Sequence, residues 1–414
     1  MTPAHWLLIA SLYVTQFLPV SFFFMGLPAI LRSEGRSLEE LSVLYLLGLV
    51  WVVKVLWAPL VDRISFGRLG HYRGWLIFMQ SAMIIMLLLI SRIDGVSDMG
   101  LLMALSLVLT MCAGTQDIAT DAIAVRLIPP GMRGVGNSLQ VGGGLVGIAL
   151  GGGATLALYN LVGWAGCLWL MAAVVATTLV QIVLFREPAA TEAEEEAKGG
   201  AGQSYARLWR FWRRPGIGRW ALVMMLTPVG IGMVFGLLTP MLVDIGWSLE
   251  RVGFTLNVTG SLVGLPAVLI TGVLIRRWSR RAMLVGAALV QAAAILALLP
   301  LAGGERESQL VLPALLLVFL IYNPIATIMM TIMMDHADPR TAGTDFTAQC
   351  SFYTLMGFAS GALALSIAQA HGYRVLVLVA AGCALLAGAL ALWLFRDPAR
   401  EKPAVEKAAP TPAE

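Results

Sequence analysis

Charge is what this sequence lacks. Asp, Glu, Lys and Arg make up 13% of its 414 residues, against roughly 25% in an ordinary soluble domain. Hydrophobic residues reach 58%, with a mean hydropathy of +0.82, which excludes a soluble globular protein and points to an integral membrane one. Cysteine and histidine are equally scarce, four of each. Cys112, Cys167, Cys350 and Cys383 fall in apolar stretches without CxxC or histidine-spaced sets, so they read as small packing residues and no metal site is expected. No His, Ser or Cys constellation suits catalysis, so no catalytic residues are assigned and the chain is not read as an enzyme. The glycine-rich "GGGLVGIALGGG" (142–153) is not a phosphate loop, because no strand precedes it and no lysine follows. Its glycines read instead as sites of close helix approach.

What the sequence has is long apolar runs. Spans near 20 residues recur at 5–31, 41–61, 74–91, 99–125, 135–160, 164–185, 217–243, 252–275, 282–302, 310–334, 346–370 and 374–395, about twelve in all. The first lacks a basic leader and a cleavage site and is read as a retained helix. With both termini inside, 21 of the 28 Lys and Arg fall on inner segments and 6 on outer ones, while Lys54 lies within the membrane. This bias predicts cytoplasmic termini. It also accounts for the pI near 9.0 without a nucleic-acid partner.

One long polar segment, 186–216, divides six spans (1–185) from six (217–396), and a polar tail (397–414) is expected to be disordered. The first half of the linker, acidic and glycine-rich, is expected to be disordered as well. Leu208, Trp209, Phe211 and Trp212 stand among four arginines further on, a pattern that suits a short helix lying on the membrane surface. The halves also repeat. "GRSLEE" (35–40) matches "GWSLER" (246–251) at an offset of 211, and Pro130, Gly134 and Gln140 match Pro339, Gly343 and Gln349 at 209. Two matches at nearly one offset indicate duplication.

Asp117 and Asp121 stand in "AGTQDIATDAIAVRL" (113–127), otherwise a membrane helix. A carboxylate there costs roughly 2.5–3.5 kcal/mol, so it should face a cavity or a partner. Counted from the inner helix end, Asp117 lies about 13 Å deep and Asp121 about 7 Å, four residues apart on one face. Lys54 lies about 12 Å above Asp62, a depth like that of Asp117, which makes the two a candidate buried pair. A structural pair, a proton-coupling site and a substrate contact all remain open. Gln116, Asn137, Gln140 and Gln349 either line a cavity or bridge helices. Phe22, Phe23 and Asn323, with Trp51, Trp57 and the methionines of "NPIATIMMTIMM" (323–334), suit an apolar or aromatic ligand pocket. "DHADPRTAGTD" (335–345) reads as helix capping by Thr344 or Asp345 rather than as a metal cage.

The duplicated six-plus-six layout with a central linker resembles the major facilitator superfamily, and so does "APLVDRISFGR" (58–68) beside "GVLIRRWSRR" (272–281). The expected fold is therefore all-α, about twelve transmembrane helices in two pseudo-symmetric six-helix bundles. Asp62 and Arg63, with Arg276 and Arg277 at the matching loop, would gate by clamping the halves together, Asp62 meeting a helix N-terminus. "VLWAPLVDR" (55–63), "AGTQDIATDAIAV" (113–125) and "RGVGNSLQVGG" (133–143) resemble the branch holding anhydromuropeptide permeases, acetyl-CoA transporters and single-subunit siderophore permeases. Length and the opening "QFLPVSFFFMGLPAILR" are most similar to the permeases for pyochelin and rhizobactin, the pyochelin ones above all. That resemblance implies import of an intact ferri-siderophore across a bacterial inner membrane by one subunit, without ATP. Protons are the expected coupling ion, because Asp117 can titrate and the sequence shows no dedicated sodium cage. The expected partners are substrate, protons and lipid, with no cofactor of the protein's own. The rival reading is an anhydromuropeptide or other organic-anion permease.

Overall fold

Lipid offers no hydrogen-bond partners, so a chain of this hydropathy must satisfy its backbone within each segment, as a helix does. The computed structural model describes residues 1–33, 43–93, 98–188, 201–306 and 308–397. The first outer loop copy, the acidic part of the linker and the tail from 398 onward lie outside the described residues, and the expectations for them rest there.

Among the described residues nine helices are long and apolar enough to cross a membrane. Two of them, Pro130–Leu184 and Pro339–Leu394, run for 55 and 56 residues, more than twice what a bilayer needs. Each breaks at a glycine with positive φ, Gly163 at 68° and Gly372 at 81°, a conformation other residues rarely adopt. With both counted double and the shorter apolar Leu46–Leu56 added, the spans number twelve. We label them α1 (Pro3–Gly26), α2 (Leu46–Leu56), α3 (Tyr72–Ile90), α4 (Met99–Leu127), α5 (130–162), α6 (164–184), α7 (Ile217–Asp244), α8 (Arg251–Arg277), α9 (Arg280–Ala302), α10 (Gln309–His336), α11 (339–371) and α12 (373–394). A further helix, Ala201–Trp212, belongs to the linker.

The halves are built alike. In the first, α1 packs on α5 and α3 on α4 and α6, and in the second α9 packs on α10 and α7 on the last two helices. The halves meet where α5 lies against α8 and α10, and where α2 and α4 lie against α11. A shared device marks the linker side. Glu187, after α6, accepts from the backbone N–H of Tyr72 and Arg73 at the start of α3 (3.2 and 2.9 Å). Asp397, after α12, accepts from the N–H of Arg280 at the start of α9 (2.9 Å). An acid thus completes the positive end of the third helix in each half.

The second span is not the regular helix expected over 41–61. It runs as 3-10 over Val43–Leu49, α over Val50–Val53 and 3-10 over Lys54–Leu56, then restarts as Ala58–Arg63. Pro59 is the physical reason for the break before Ala58, since it has no N–H to donate and its ring crowds the carbonyl four residues back, that of Val55.

The glycine run 142–153 sets the approach of α5 to α1. A Cβ on Gly147 would lie 2.7 Å from the carbonyl oxygen of Val14 and 2.8 Å from the Cβ of Phe17. Gly147→Val is therefore expected to destabilise the fold by about 1–3 kcal/mol, read as a lower Tm in detergent. Gly286→Ala, whose Cβ meets nothing within 4 Å, should leave Tm unchanged or raised.

A charged cavity between the halves

The linker side of the seam is closed by hydrogen bonds that run from one half to the other. Asp62 accepts from the N–H of Gly343 (3.0 Å) and Thr344 (2.7 Å) in the first turn of α11, and from the Tyr72 hydroxyl (2.8 Å). Thr344 and Asp345 do not cap this helix, contrary to the sequence reading. The cap comes from the other half, while Asp345 turns back to accept from Asp338 N–H (3.1 Å) and pairs with Arg214 (2.9 Å). Beside it Arg133, at the start of α5, donates to Asp335 at the end of α10 (3.0 Å), and Arg280 donates to the second oxygen of Asp335 (3.0 Å) and to Pro130 O (3.4 Å). The expected clamp therefore needs correction in its arginines. Arg63, Arg276 and Arg277 are exposed, because each stands at a helix end facing water, and Arg133 with Arg280 makes the contacts instead. Away from the linker the seam is plainer. The π-helical turns Ala149–Ala154 and Phe254–Thr259 approach each other there, and a Cβ on Gly153 would be 3.9 Å from Val258.

Within the seam lies a cavity of about 310 Å³. The first half lines it with Phe17, Trp51, Lys54, Asp117, Asp121 and Gln140, and the second with Phe235, Asn257, Phe319, Tyr322 and Asn323 among others. All its carboxylates and its lysine thus come from one half. The second half contributes aromatic wall, Phe235 lying 4.4 Å from Tyr322 between ring centroids, opposite Phe17 and Trp51 at 5.8 Å. A further cavity of about 360 Å³ shares Phe235, Tyr322 and Thr354 with the first.

Lys54, 1% exposed, forms an ion pair with Asp117 Oδ2. Gln16 of α1 donates to the other oxygen of Asp117 (2.6 Å). Asp121 accepts at Oδ1 from the Tyr13 hydroxyl (2.8 Å) and from Gln140 (3.0 Å), and its Oδ2 is buried without a partner. One lysine thus stands beside two acids, one bonded to it and one not.

The remaining expected residues divide. Asn323 lies on the cavity wall. Gln116 does not, for it is wholly buried between Gln80 (2.9 Å) and Leu12 O (3.0 Å), joining α1, α3 and α4. Gln349 is held by Trp220 (2.7 Å) and two backbone carbonyls, and Asn137 by Arg133 O (2.8 Å). Gln116 and Gln349 thus bridge helices, as buried amides that need partners do, whereas Asn137 bonds back to its own helix and leaves its Oδ1 buried without a partner. Phe22 and Phe23 also lie elsewhere. Their π-helical turn, Phe22–Gly26, stacks them edge-on at 5.4 Å in the apolar core, Phe22 reaching Trp164 at 5.8 Å. Tyr13 and Gln16 were not singled out in the sequence, although polar groups three apart on the face of an apolar helix are a readable signal.

Asp62→Ala should leave the start of α11 uncapped at a cost of about 0.5–2 kcal/mol, shifting the balance about 2- to 30-fold toward opening on the linker side. Alkylation of Cys350, which lines the cavity, by a thiol reagent added from that side should accelerate by the same factor.

Comparison with known proteins agrees with this architecture. The anhydromuropeptide permease of Escherichia coli K12 is 29% identical over 271 residues, covering 65% of this chain and 55% of that one, so the match spans about half the permease's length. A putative transporter AmpG 4 of Rickettsia felis is 23% identical over 263 residues, covering 62% and 63%. The human organic anion transporter MFSD10 (TETRAN) superposes with a TM-score of 0.73 at 16% identity, over 94% of this chain and 100% of that one. The proton:xylose symporter XylE gives 0.67 at 10%, over 93% and 94%. Residues 7–361 match the profile of the Major Facilitator Superfamily, and the chain, a multi-pass membrane protein, belongs to that family.

Proposed function

We propose that this transporter is a proton-coupled importer of a small, largely apolar and aromatic organic anion, working by alternating access. The observation that carries the reading is Lys54, the one lysine or arginine on the cavity wall among the described residues, set between two aromatic surfaces. An incoming carboxylate can take the place of Asp117 at the ammonium, so that Asp117 is freed to accept a proton. Asp121, with one oxygen unpartnered, supplies a second proton site, and a proton there leaves the substrate-free cavity neutral. The cavity is complete within one chain, which is consistent with a monomer. The proposed location is a bacterial inner membrane with both termini cytoplasmic, the linker side then being the inner one.

Ferri-pyochelin, the substrate to which the sequence resemblance points, has this chemistry, with iron carried as part of the substrate. A second reading is favoured by the comparisons. The match to the Escherichia coli anhydromuropeptide permease, together with the adjoining cavity that lengthens the space available, supports the organic-anion alternative with a muropeptide as substrate. Counterflow in proteoliposomes, with labelled ferri-pyochelin and labelled anhydromuropeptide offered separately, decides between them. Accumulation of the first alone is expected, and accumulation of the second alone would overturn the small-anion reading in favour of its rival.

Two variants test the assigned roles. Replacing both partners, Lys54→Gln with Asp117→Asn, avoids an uncompensated buried charge and should cut uptake at least tenfold, the loss of one charged hydrogen bond to substrate, at unchanged protein level. Asp121→Asn should retain counterflow and lose accumulation driven by a pH gradient. Gradient-driven accumulation equal to that of the parent would remove Asp121 from the coupling role.

A further inference from the structure

The segment 201–219 carries five arginines and no acid. Its helix, Ala201–Trp212, is fastened to both halves. The Tyr205 hydroxyl donates to Leu56 O in α2 (2.9 Å), the Trp212 ring lies 5.5 Å from that of Phe352 in α11, and Arg214 pairs with Asp345. Phe211 is fully buried, whereas Trp209 is 70% exposed. With 3.6 residues per turn, Leu208, Trp212 and Trp209 share one side of the helix, and Arg213 and Arg210 follow beyond Trp209 on the adjoining outward face. Both of these arginines are exposed, while Arg214 is already matched by an acid.

Beneath the helix is a second space, about 550 Å³, separate from the charged cavity. Its walls include Val53 and Leu56 of α2, Leu208 of the linker helix, Met225 of α7 and Phe352 and Leu355 of α11. Among the described residues no charged side chain lines it, and its one hydroxyl, on Ser351, is turned to Trp51 O across the seam (3.2 Å). An ionic solute finds nothing there to replace its hydration, whereas a hydrocarbon chain has none to lose. The exposed Leu56 and Leu355 leave the cleft open toward the lipid.

We propose that this cleft binds one acidic phospholipid of the linker-side leaflet, an acyl chain between α2 and α11 and the phosphate against Arg210 and Arg213. Charge complementarity selects the acidic lipid over a zwitterionic one, because two exposed guanidinium groups stand on the helix face that adjoins the apolar slot. The walls belong to both halves, so the lipid fits best while α2 and α11 are together. Its differential affinity favours the state closed on the linker side.

The test is native mass spectrometry of the full-length protein, delipidated and titrated with phosphatidylglycerol, phosphatidylcholine or glycerol phosphate, beside Tm in the same lipids. The wild type should retain one phosphatidylglycerol in preference to phosphatidylcholine, with a raised Tm, and glycerol phosphate should not compete. Each of Arg210→Gln and Arg213→Gln should weaken retention about fivefold, and Arg210→Lys with Arg213→Lys should restore it. Met225→Trp, filling the cleft, should abolish the Tm rise while the purified protein stays monodisperse. Equal retention of both lipids by all variants would mean an unspecific lipid shell and would overturn the proposal. Competition by glycerol phosphate as strong as by the whole lipid would overturn the acyl-chain site, and neither result bears on the substrate reading of the charged cavity.

Discussion

A lysine ammonium buried in a bundle of membrane helices must have a counter-charge within reach, and much of this molecule is arranged around that requirement. Lys54 is brought to the seam by a span that abandons regular α-helix at that point. Asp117 meets it from α4, and Gln16 of α1 fixes the carboxylate from the other side. One helical turn further along α4, Asp121 is held by Tyr13 of α1 and Gln140 of α5. Four helices of the first half are thus tied together by two acids and one base. The second half answers with a wall of aromatic and amide groups that carries no acid or base of comparable strength. The chemistry resides on one side of the seam and the shape on the other, an unequal division for two halves that pack alike.

The seam itself is unequal along its length. Toward the linker it is held by directional, charge-assisted contacts of Asp62, Arg133, Arg280 and Asp335. Away from the linker it rests, among the described residues, on glycine and van der Waals contact between two π-helical turns. Directional bonds open all at once when their geometry fails, and plain apolar contact slides at little cost. That difference suits a transporter that must hold one gate firmly while the other is free to move. Gly134 and Gly272 let α5 and α8 come together beside the lock, each with the other's backbone oxygen near its missing Cβ at 2.9 to 3.0 Å.

Much of this was legible in the sequence. Span number followed from hydropathy, and the breaks came at Gly163 and Gly372, within the short gaps left at 160–164 and 370–374. The depth count that placed Lys54 near Asp117 used a uniform α-helical rise, and the 3-10 turn at Lys54–Leu56 with the restart at Ala58 departs from it too little over eight residues to part the pair. Side-chain direction was not legible. Gln116 and Gln140 are both polar groups in apolar helices, yet one bridges helices and the other faces the cavity. That difference depends on rotation about the helix axis, which an all-apolar background does not report. The same holds for Phe22 and Phe23, whose π-helical turn shifts the register of the face they share. The arginines of the lock were misjudged for another reason. Motif spacing pointed to Arg276 and Arg277, but the contact falls to Arg280, whose partner Asp335 is distant in sequence.

The central claim is that Lys54 exchanges Asp117 for the carboxylate of a substrate. The most direct measurement is an experimental structure of the protein in lipid nanodiscs with ferri-pyochelin bound. The account predicts the ligand between Trp51 and Tyr322, its carboxylate on Lys54 Nζ and Asp117 moved off the ammonium. A ligand lodged elsewhere, or one seated in the cavity with the Lys54–Asp117 pair intact, would contradict it.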